Sequence, residues 1–419
     1  MSQLVFLTFF LGLVSGQQTV SLNASPDVRT VAILVDEQKV ATLQPPFTGT
    51  IDLGAKLAPR LLVAVGYDEK GNEVARASQV LNVPRPPADA AIVLSDGNKR
   101  AEIHWMQRVH EKPSETLLRV DDRTIPLDAS FGAALPPLDP AKPHVIEAEL
   151  RFASGAVVRR DVTIAGGAYS DSVDAELTPV IVRGDAQREK LSGCFGVRVS
   201  AVEKSRAVVV VVKDPDPLPV LLAFWQEYAP PNRSQNWTQN PALLGALPLD
   251  RNTTDTILWP VMQERTRDSN PTMNVYASSG PFDAHNLGML WAITRRNQSV
   301  NGRAPRRYAD AVAVAGMMAA EQGTRRAVVL LLQPGHKDES AHDAATVRAY
   351  LQSIGVPLHV WAINATKEQR EAWGDVSDIA TPKLDRAVQQ LGEDLASQSV
   401  AWVATDAWQA LRSAAKPCQ

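Results

Sequence analysis

Residues 207–212 read Ala-Val-Val-Val-Val-Val, an unbroken apolar run dominated by β-branched side chains, and this run restricts the fold more than any other segment. β-Branched residues favour extended backbone. A strand with one solvated face would alternate apolar and polar residues, so a run without alternation belongs to a strand covered on both faces, as in a parallel sheet. Ala327–Leu332 and Leu358–Ile363 repeat the signal, and Thr256–Met262 and Asn274–Ala277 are weaker strand candidates. Helical segments lie between the later strands. Tyr308–Glu321 is rich in Ala and Met and ends at Gly323; Asp343–Ser353 has Ser340 and Asp343 at capping-box spacing and closes at Gly355. Leu384–Leu395 and Thr405–Ala415 complete the set. Strand and helix in alternation predict a doubly wound, Rossmann-like α/β domain over residues 205–415.

The first part of the chain has a different period. Val31, Ile33 and Val35 alternate with smaller residues, Asp36-Glu37-Gln38 turns the chain, and Pro45-Pro46 stops the next strand. Leu61–Tyr67 is a long strand, followed by a hairpin connection through Gly71. The layout then recurs at an offset of about 84 residues: Leu118–Asp122 echoes Leu34–Glu37, Phe131 stands to Asp121 as Phe47 does to Asp36, and Gly155 matches Gly71. Two copies of one β-sandwich module are expected, at 17–84 and 88–167. The proline-rich stretch 82–87 is a stiff connection that makes the pair a spacer, and residues 168–204 are a bridge into the α/β domain. His104, His110 and His144 read as isolated surface or strand-end residues.

Ahead of the modules, Leu4–Val14 is apolar but shorter than the roughly 20 residues a membrane span needs, and the small residues Ser15 and Gly16 follow it. That is the plan of a secretory leader over residues 1–16, although its start carries no Lys or Arg. The expected location is secreted, periplasmic or at the cell envelope. The two cysteines, Cys194 and Cys418, are free to bridge there; their spacing decides neither for a bridge nor for separate thiols. A formal net charge of -3 gives no electrostatic case for nucleic acid or an anionic membrane. Glycine-rich phosphate loops, His-Glu-x-x-His and Gly-x-Ser-x-Gly are missing from the sequence. Ser278, Ser279, Asp283 and His285 cluster in sequence, but nearness along the chain does not make a triad. The reading is a binding protein and not an enzyme, with a secreted hydrolase built on Ser278, Ser279 or His285 as a distant alternative.

Residues 307–313, Arg-Tyr-Ala-Asp-Ala-Val-Ala, running into 325–332, together with 345–351 and 355–361, resemble a central helix and the following strands of a von Willebrand factor type A domain. The whole arrangement is similar to bacterial secreted proteins, of the kind typical in acidobacteria, that join Ig-like modules to such a domain. The resemblance implies adhesion: a divalent ion held by an Asp-x-Ser-x-Ser loop, a Thr and a second Asp, with a partner's carboxylate completing its oxygen coordination. In this sequence Asp214 stands at the first Asp, Asp216 and Leu218 at the serines, Arg306 at the Thr, and Gln333 begins the third loop. One ligand of the set survives. Arg306 would bring a fixed cation to the vacated position and could pair with Asp214 or Asp216. The expected ligand edge is therefore Asp214, Asp216, Arg306, Gln333, His336 and Asp338, without a cofactor, facing a protein or cell-surface partner. The competing reading is a re-used metal site in which Asp214, Asp216, His336, Asp338 and His342 hold Mg²⁺, Mn²⁺ or Zn²⁺.

Overall fold

A computed structural model of the chain describes residues 3–10, 12–86, 88–107, 112–139, 142–153, 155–164, 172–184, 187–215, 253–262, 276–283, 304–333, 337–379 and 383–415. The first module contains β1 (Leu4–Phe6), β2 (Gln17–Ala24), β3 (Thr30–Val35), β4 (Gln38–Leu43), β5 (Thr48–Asp52), β6 (Arg60–Tyr67) and β7 (Glu73–Leu81). They form two sheets, in the orders β1-β2-β5 and β4-β3-β6-β7. The second contains β8 (Ala88–Ser95), β9 (Arg100–Gln107), β10 (Pro113–Val120), β11 (Arg123–Ile125), β12 (Gly132–Ala134), β13 (His144–Phe152) and β14 (Val157–Ile164), in the orders β8-β9-β12 and β11-β10-β13-β14. The two orders coincide strand for strand, so the repeat seen in the sequence is a repeat of topology.

Backbone conformation repeats as well. Asp36 and Glu37 have φ of 48° and 70°, and Asp121 and Asp122 have 47° and 66°. Two consecutive left-handed residues make the hairpin turn whose twist suits flanking strands. Side chains without glycine's freedom are held there by the Asp carboxylate. Asp36 accepts the Leu61 N–H at 2.9 Å, and Asp121 accepts the Val145 N–H at 3.0 Å. Each carboxylate also pairs with a cation at the start of the neighbouring strand, Arg60 at 2.6 Å in the first module and His144 at 2.6 Å in the second. His144 stands at a strand end, as expected, but is neither isolated nor at the surface: it is buried, with its other ring nitrogen 3.0 Å from the Asp139 carbonyl.

The segment expected to lie outside the fold is built into it. β1 runs antiparallel to β2, with Leu4 opposite Ala24 and Phe6 opposite Leu22. Leu4, Phe6 and Phe10 enter the first module's core while Val5, Leu7 and Phe9 face outward.

The bridge at 168–204 is also more than a connection. β15 (Ser172–Arg183) pairs with β14 through Ser172–Glu176; α1 (Arg188–Phe195) and β16 (Val199–Glu203) follow. The parallel sheet then comprises β17 (Ala207–Lys213), β18 (Thr253–Met262), β19 (Tyr276–Asp283), β20 (Arg325–Leu332), β21 (Leu358–Ala362) and β22 (Val376–Asp378), in the order β19-β18-β17-β20-β21-β22, with only β19 antiparallel to its neighbour. Every residue of β17 and β20 is buried. On one face Val208, Val210, Leu330 and Val328 pack against α2 (Tyr308–Glu321) and α3 (Ala344–Ser353). The helix α4 (Lys367–Trp373) starts in a Thr366–Gln369 capping box. On the other face Val209, Val211, Val329 and Leu331 pack against Leu384, Val388 and Leu391 of α5 (Leu384–Ser397). The two-sided cover demanded by the valine run is thus present. At the start of α3 the cap is Asp343 itself, which accepts the Thr346 N–H at 2.6 Å; Ser340 is engaged by Asp338 instead.

β23 (Gln398–Ala404) and α6 (Ala407–Ala414) close the chain. β23 pairs with β15 through Leu177–Arg183 and with β16 on its other side, giving one seven-stranded sheet, β11-β10-β13-β14-β15-β23-β16. The second module and the α/β domain therefore share a sheet. Where that sheet curls, buried charges meet. Arg159 donates to Glu147, Glu149 and Glu203 at 3.3, 2.6 and 2.8 Å, and its guanidinium lies over the Trp402 ring at 5.2 Å. Burial pushes the Glu147 carboxyl up; for Glu149 burial acts the same way but is overruled by Arg159, Arg119 and Arg151, which hold it below its ordinary value. Arg198 pairs with the fully buried Asp161. Cys194, near the end of α1, is disulfide-bonded; the chain's other cysteine, Cys418, lies outside the described residues.

Candidate functional site

Open α/β sheets present ligand sites at the carboxyl ends of their strands. Here β17 ends at Lys213 and Asp214, β20 at Leu332 and Gln333, and the N-terminus of α2 faces them. Asp214 has no exposed surface. Its Oδ2 accepts from Arg306 Nε at 3.2 Å and from the Tyr308 hydroxyl at 2.7 Å. Arg306 also donates to the Ala304 carbonyl at 2.8 Å. Burial and the negative charge of Asp214 push the Tyr308 phenol far up, so it stays a neutral donor at every physiological pH. The first acidic position of the edge is thus closed by a guanidinium and a phenol.

The neighbouring acids are committed to the backbone. Asp338 accepts the Tyr308 and Ala309 N–H groups at 3.0 and 3.1 Å, so a carboxylate complements the free donors at the α2 N-terminus. α2 has no cap of its own at Arg307, and the loop after β20 supplies it. The reverse contact runs from α2 to that loop: Asp310 accepts the Ala341 N–H at 2.9 Å and the His342 N–H at 3.2 Å, and its Oδ1 lies 2.9 Å from His342 Nδ1. Burial would raise the Asp310 carboxyl, but these hydrogen bonds outweigh it and hold the group below its usual value; the same contact raises the His342 imidazole. Gln333 contributes its carbonyl to Gln369 Nε2 at 3.1 Å.

His342 Nε2 lies 3.4 Å from the Ser15 hydroxyl, which completes a Ser–His–Asp chain of contacts. The outer contact is longer than the roughly 2.6–3.2 Å of a working nucleophile–base pair. Asp310 is spent on fixing the loop, so the arrangement orders the edge. Ser279, a candidate nucleophile of the hydrolase reading, donates to the Gly280 carbonyl at 2.7 Å and accepts the Ile257 N–H at 3.0 Å, stabilising an irregular pairing of β18 and β19. Ser278 lies in register with Leu258. The Asp283 side chain and His285 lie outside the described residues.

As a donor set for a divalent ion, the described residues do not fit. A hard cation needs oxygens with free lone pairs, whereas Asp214 faces a guanidinium and Asp338 and Asp310 satisfy backbone N–H groups. Among the described residues no group of three or more His, Cys, Asp or Glu side chains is placed to hold a metal. Of the edge residues expected from sequence, the structure brings Asp214 and Arg306 into contact and places Asp338 at the same helix start; Asp216 and His336 lie outside the described residues. Tyr308 was missed as a site residue. Its signal was available, since it sits two positions after Arg306 at the first turn of a helix aimed at the same edge.

No protein-family model matches the sequence, and no curated protein is similar to it. Among solved structures, the chain is similar to fibronectin(III)-like modules of Clostridium thermocellum CbhA, at 14% identity over 41% of this chain and 92% of that one, with a TM-score of 0.16. It is also similar to proximal thread matrix protein 1 from the mussel byssus, with a zinc-occupied MIDAS motif, at 12% identity over 53% of this chain and 49% of that one, with a TM-score of 0.29. A third is the Bacteroides ovatus protein SGBP-B in complex with a mixed-linkage heptasaccharide, at 15% identity over 41% of this chain and 47% of that one, with a TM-score of 0.15. Overlays this loose carry no argument about the site; the strand orders and hydrogen bonds above do.

Proposed function

We propose that the chain is an exported binding protein, without catalytic activity, that contacts a protein or cell-surface ligand through the carboxyl edge of its parallel sheet and does so without a metal ion. The observation that carries this reading is the Asp214–Arg306–Tyr308 closure: Asp214 and Arg306, at positions the sequence resemblance aligns with ion ligands, form a buried ion pair that a neutral phenol completes. Around that closure Lys337, Asp338 and Glu339 remain exposed and polar, as the rim of a contact surface requires. Export is supported by the apolar run ahead of Gly16 and by the disulfide at Cys194, since such bonds persist in oxidising compartments. No helix among the described residues is long and apolar enough to cross a membrane.

Thermal melts of the full chain after chelation, and again with Mg²⁺, Mn²⁺ or Zn²⁺, test the metal-free edge. An ion that binds only the native state would raise stability by about 2.7 kcal/mol at a hundredfold excess over Kd. No shift is expected. A rise with one ion that vanishes in Asp214→Ala would replace this reading with metal-dependent adhesion.

A further inference from the structure

A groove of about 490 Å³ opens at the amino end of β21, the opposite end of the parallel sheet from the candidate edge. Four elements build it: Ile181 and Arg183 come from β15, Phe195 from α1, Arg348 and Gln352 from α3, and Leu358 from β21. Most of the lining is apolar, and the volume falls within the roughly 300–1,000 Å³ of small-molecule sites. The polar groups give the groove a sign. Among the described residues no Asp or Glu lines it, whereas two arginines do. Arg183 is held by Asp394 and donates to the Ser397 hydroxyl at 3.1 Å. Asp394 is shared with His359 at 3.2 Å and is not part of the lining. Arg348 makes no hydrogen bond or ion pair with another described residue. It is nonetheless seated, because Gly374, at a φ of 77°, leaves room for it; a Cβ there would overlap Arg348 Nη1. One turn along α3, Gln352 adds an amide to the same helix face.

We infer that this groove is a second ligand site, separate from the carboxyl edge, for a small amphipathic carboxylate. The apolar body lies against Ile181, Phe195 and Leu358, and Arg348 pairs with the carboxylate while Arg183 adds to the positive field. A guanidinium grips a carboxylate through two parallel N–H donors, so the contact selects both charge and shape. A neutral or cationic molecule with the same hydrocarbon body would gain the apolar contact alone.

The probe is decanoate, kept below its micelle-forming concentration and titrated calorimetrically into the full chain. Saturable binding is expected, with amide exchange slowed along Ile181–Arg183 and Val356–Leu358. Decanol and decyltrimethylammonium, which carry the same tail, should bind at least about tenfold more weakly, the loss expected when a hydrogen bond to a charged group is removed. Arg348→Gln should weaken decanoate by a similar factor and leave decanol unchanged, whereas Gln352→Trp, which fills the groove from its exposed rim, should weaken both. Absence of decanoate binding would overturn the inference, as would equal affinity for decyltrimethylammonium or binding that either variant leaves unchanged. If Arg348→Gln does not fold, Gln352→Glu, which sets a carboxylate one turn from Arg348, carries the same comparison. The metal melts that test the carboxyl edge are read independently of every one of these outcomes.

Discussion

Arg76 and Arg159 occupy the same rung of the two repeated modules. Arg76 lies opposite Val65, and Arg159 lies opposite Glu149. Arg76 is 57% exposed and pairs with Glu73 at 2.9 Å along its own strand. Arg159 is 5% exposed and binds three carboxylates. Where the second module carries Glu147 and Glu149, the first has Val63 and Val65 at the matching positions of β6. One topology thus supports two kinds of attachment. The second module spends its charged ladder on the seam with the α/β domain. The first keeps Arg76 on the surface and is fastened by apolar packing of Leu57 and Val83 into the α/β core, with two hydrogen bonds beside it: Trp408 Nε1 donates to Asp36 at 3.1 Å, and Tyr350 donates to the Asn82 carbonyl at 3.1 Å. The lesson is that repetition in sequence predicts the fold of a module but not how it is anchored. The modules are accordingly not a free spacer, since both are fixed to the α/β domain.

Three measurements would break or sharpen this contrast. The largest effect is expected from Arg159→Met, which leaves carboxylates buried at the seam; breaking a buried pair costs about 3–5 kcal/mol, and the lower end applies because Arg119 and Arg151 remain. Chemical denaturation should show it, while Arg76→Met should leave the transition where it is; equal effects would end the distinction. Next comes Trp408→Phe, which removes one donor from Asp36 but leaves the Arg60 and Leu61 contacts, so a loss of about 1 kcal/mol is expected. A larger loss would mean that the first module is fastened as firmly as the second.

The smallest effect concerns pH. The hydrogen bond from His144 to the Asp121 carboxylate, with a further contribution from the Asp139 carbonyl, raises the His144 imidazole. A raised folded value means that the contact stabilises fully below the unfolded value of about 6.5 and is lost as pH rises through the folded one. Asp121 is lowered, because its bonds to His144 and Val145 outweigh burial, so its share persists until the solution is acidic. Melting temperature should therefore decline slightly from about pH 6 to pH 8, and His144→Arg should reduce that slope, leaving the part due to His342. In the first module the clasp is Arg60–Asp36, and Arg60→His should introduce a pH-dependent contact there. A flat profile in the wild type would show that the two clasps are equivalent.

Much of the fold was legible where physics is local. The valine run, Ala327–Leu332, and the helix over Tyr308–Glu321 follow from β-branching, two-sided burial and a glycine stop, and they appear where expected. The repeated turns announced themselves through paired acidic residues. What was hidden depends on partners distant in sequence. β23 meets β15 across more than two hundred residues, and neither strand's pattern names the other. His144 was misread because Asp121 and Asp139 reach it only once the sheet is formed. At the candidate site, the pairing of Arg306 with Asp214 follows from opposite charges at aligned loops, whereas the use of Asp338 as the cap of α2 could not be read, since the helix borrows it from another loop.

The shared sheet also sets how the molecule would bear tension. A pull along β15 between the second module and the α/β domain acts on seven residue pairs, Leu177–Arg183 against Gln398–Ala404, side by side. Hydrogen bonds stretched lengthwise in that way must yield together, while a ladder peeled from one end yields one rung at a time. Under the proposed function, the second module is the grip through which force would reach the carboxyl edge of the parallel sheet.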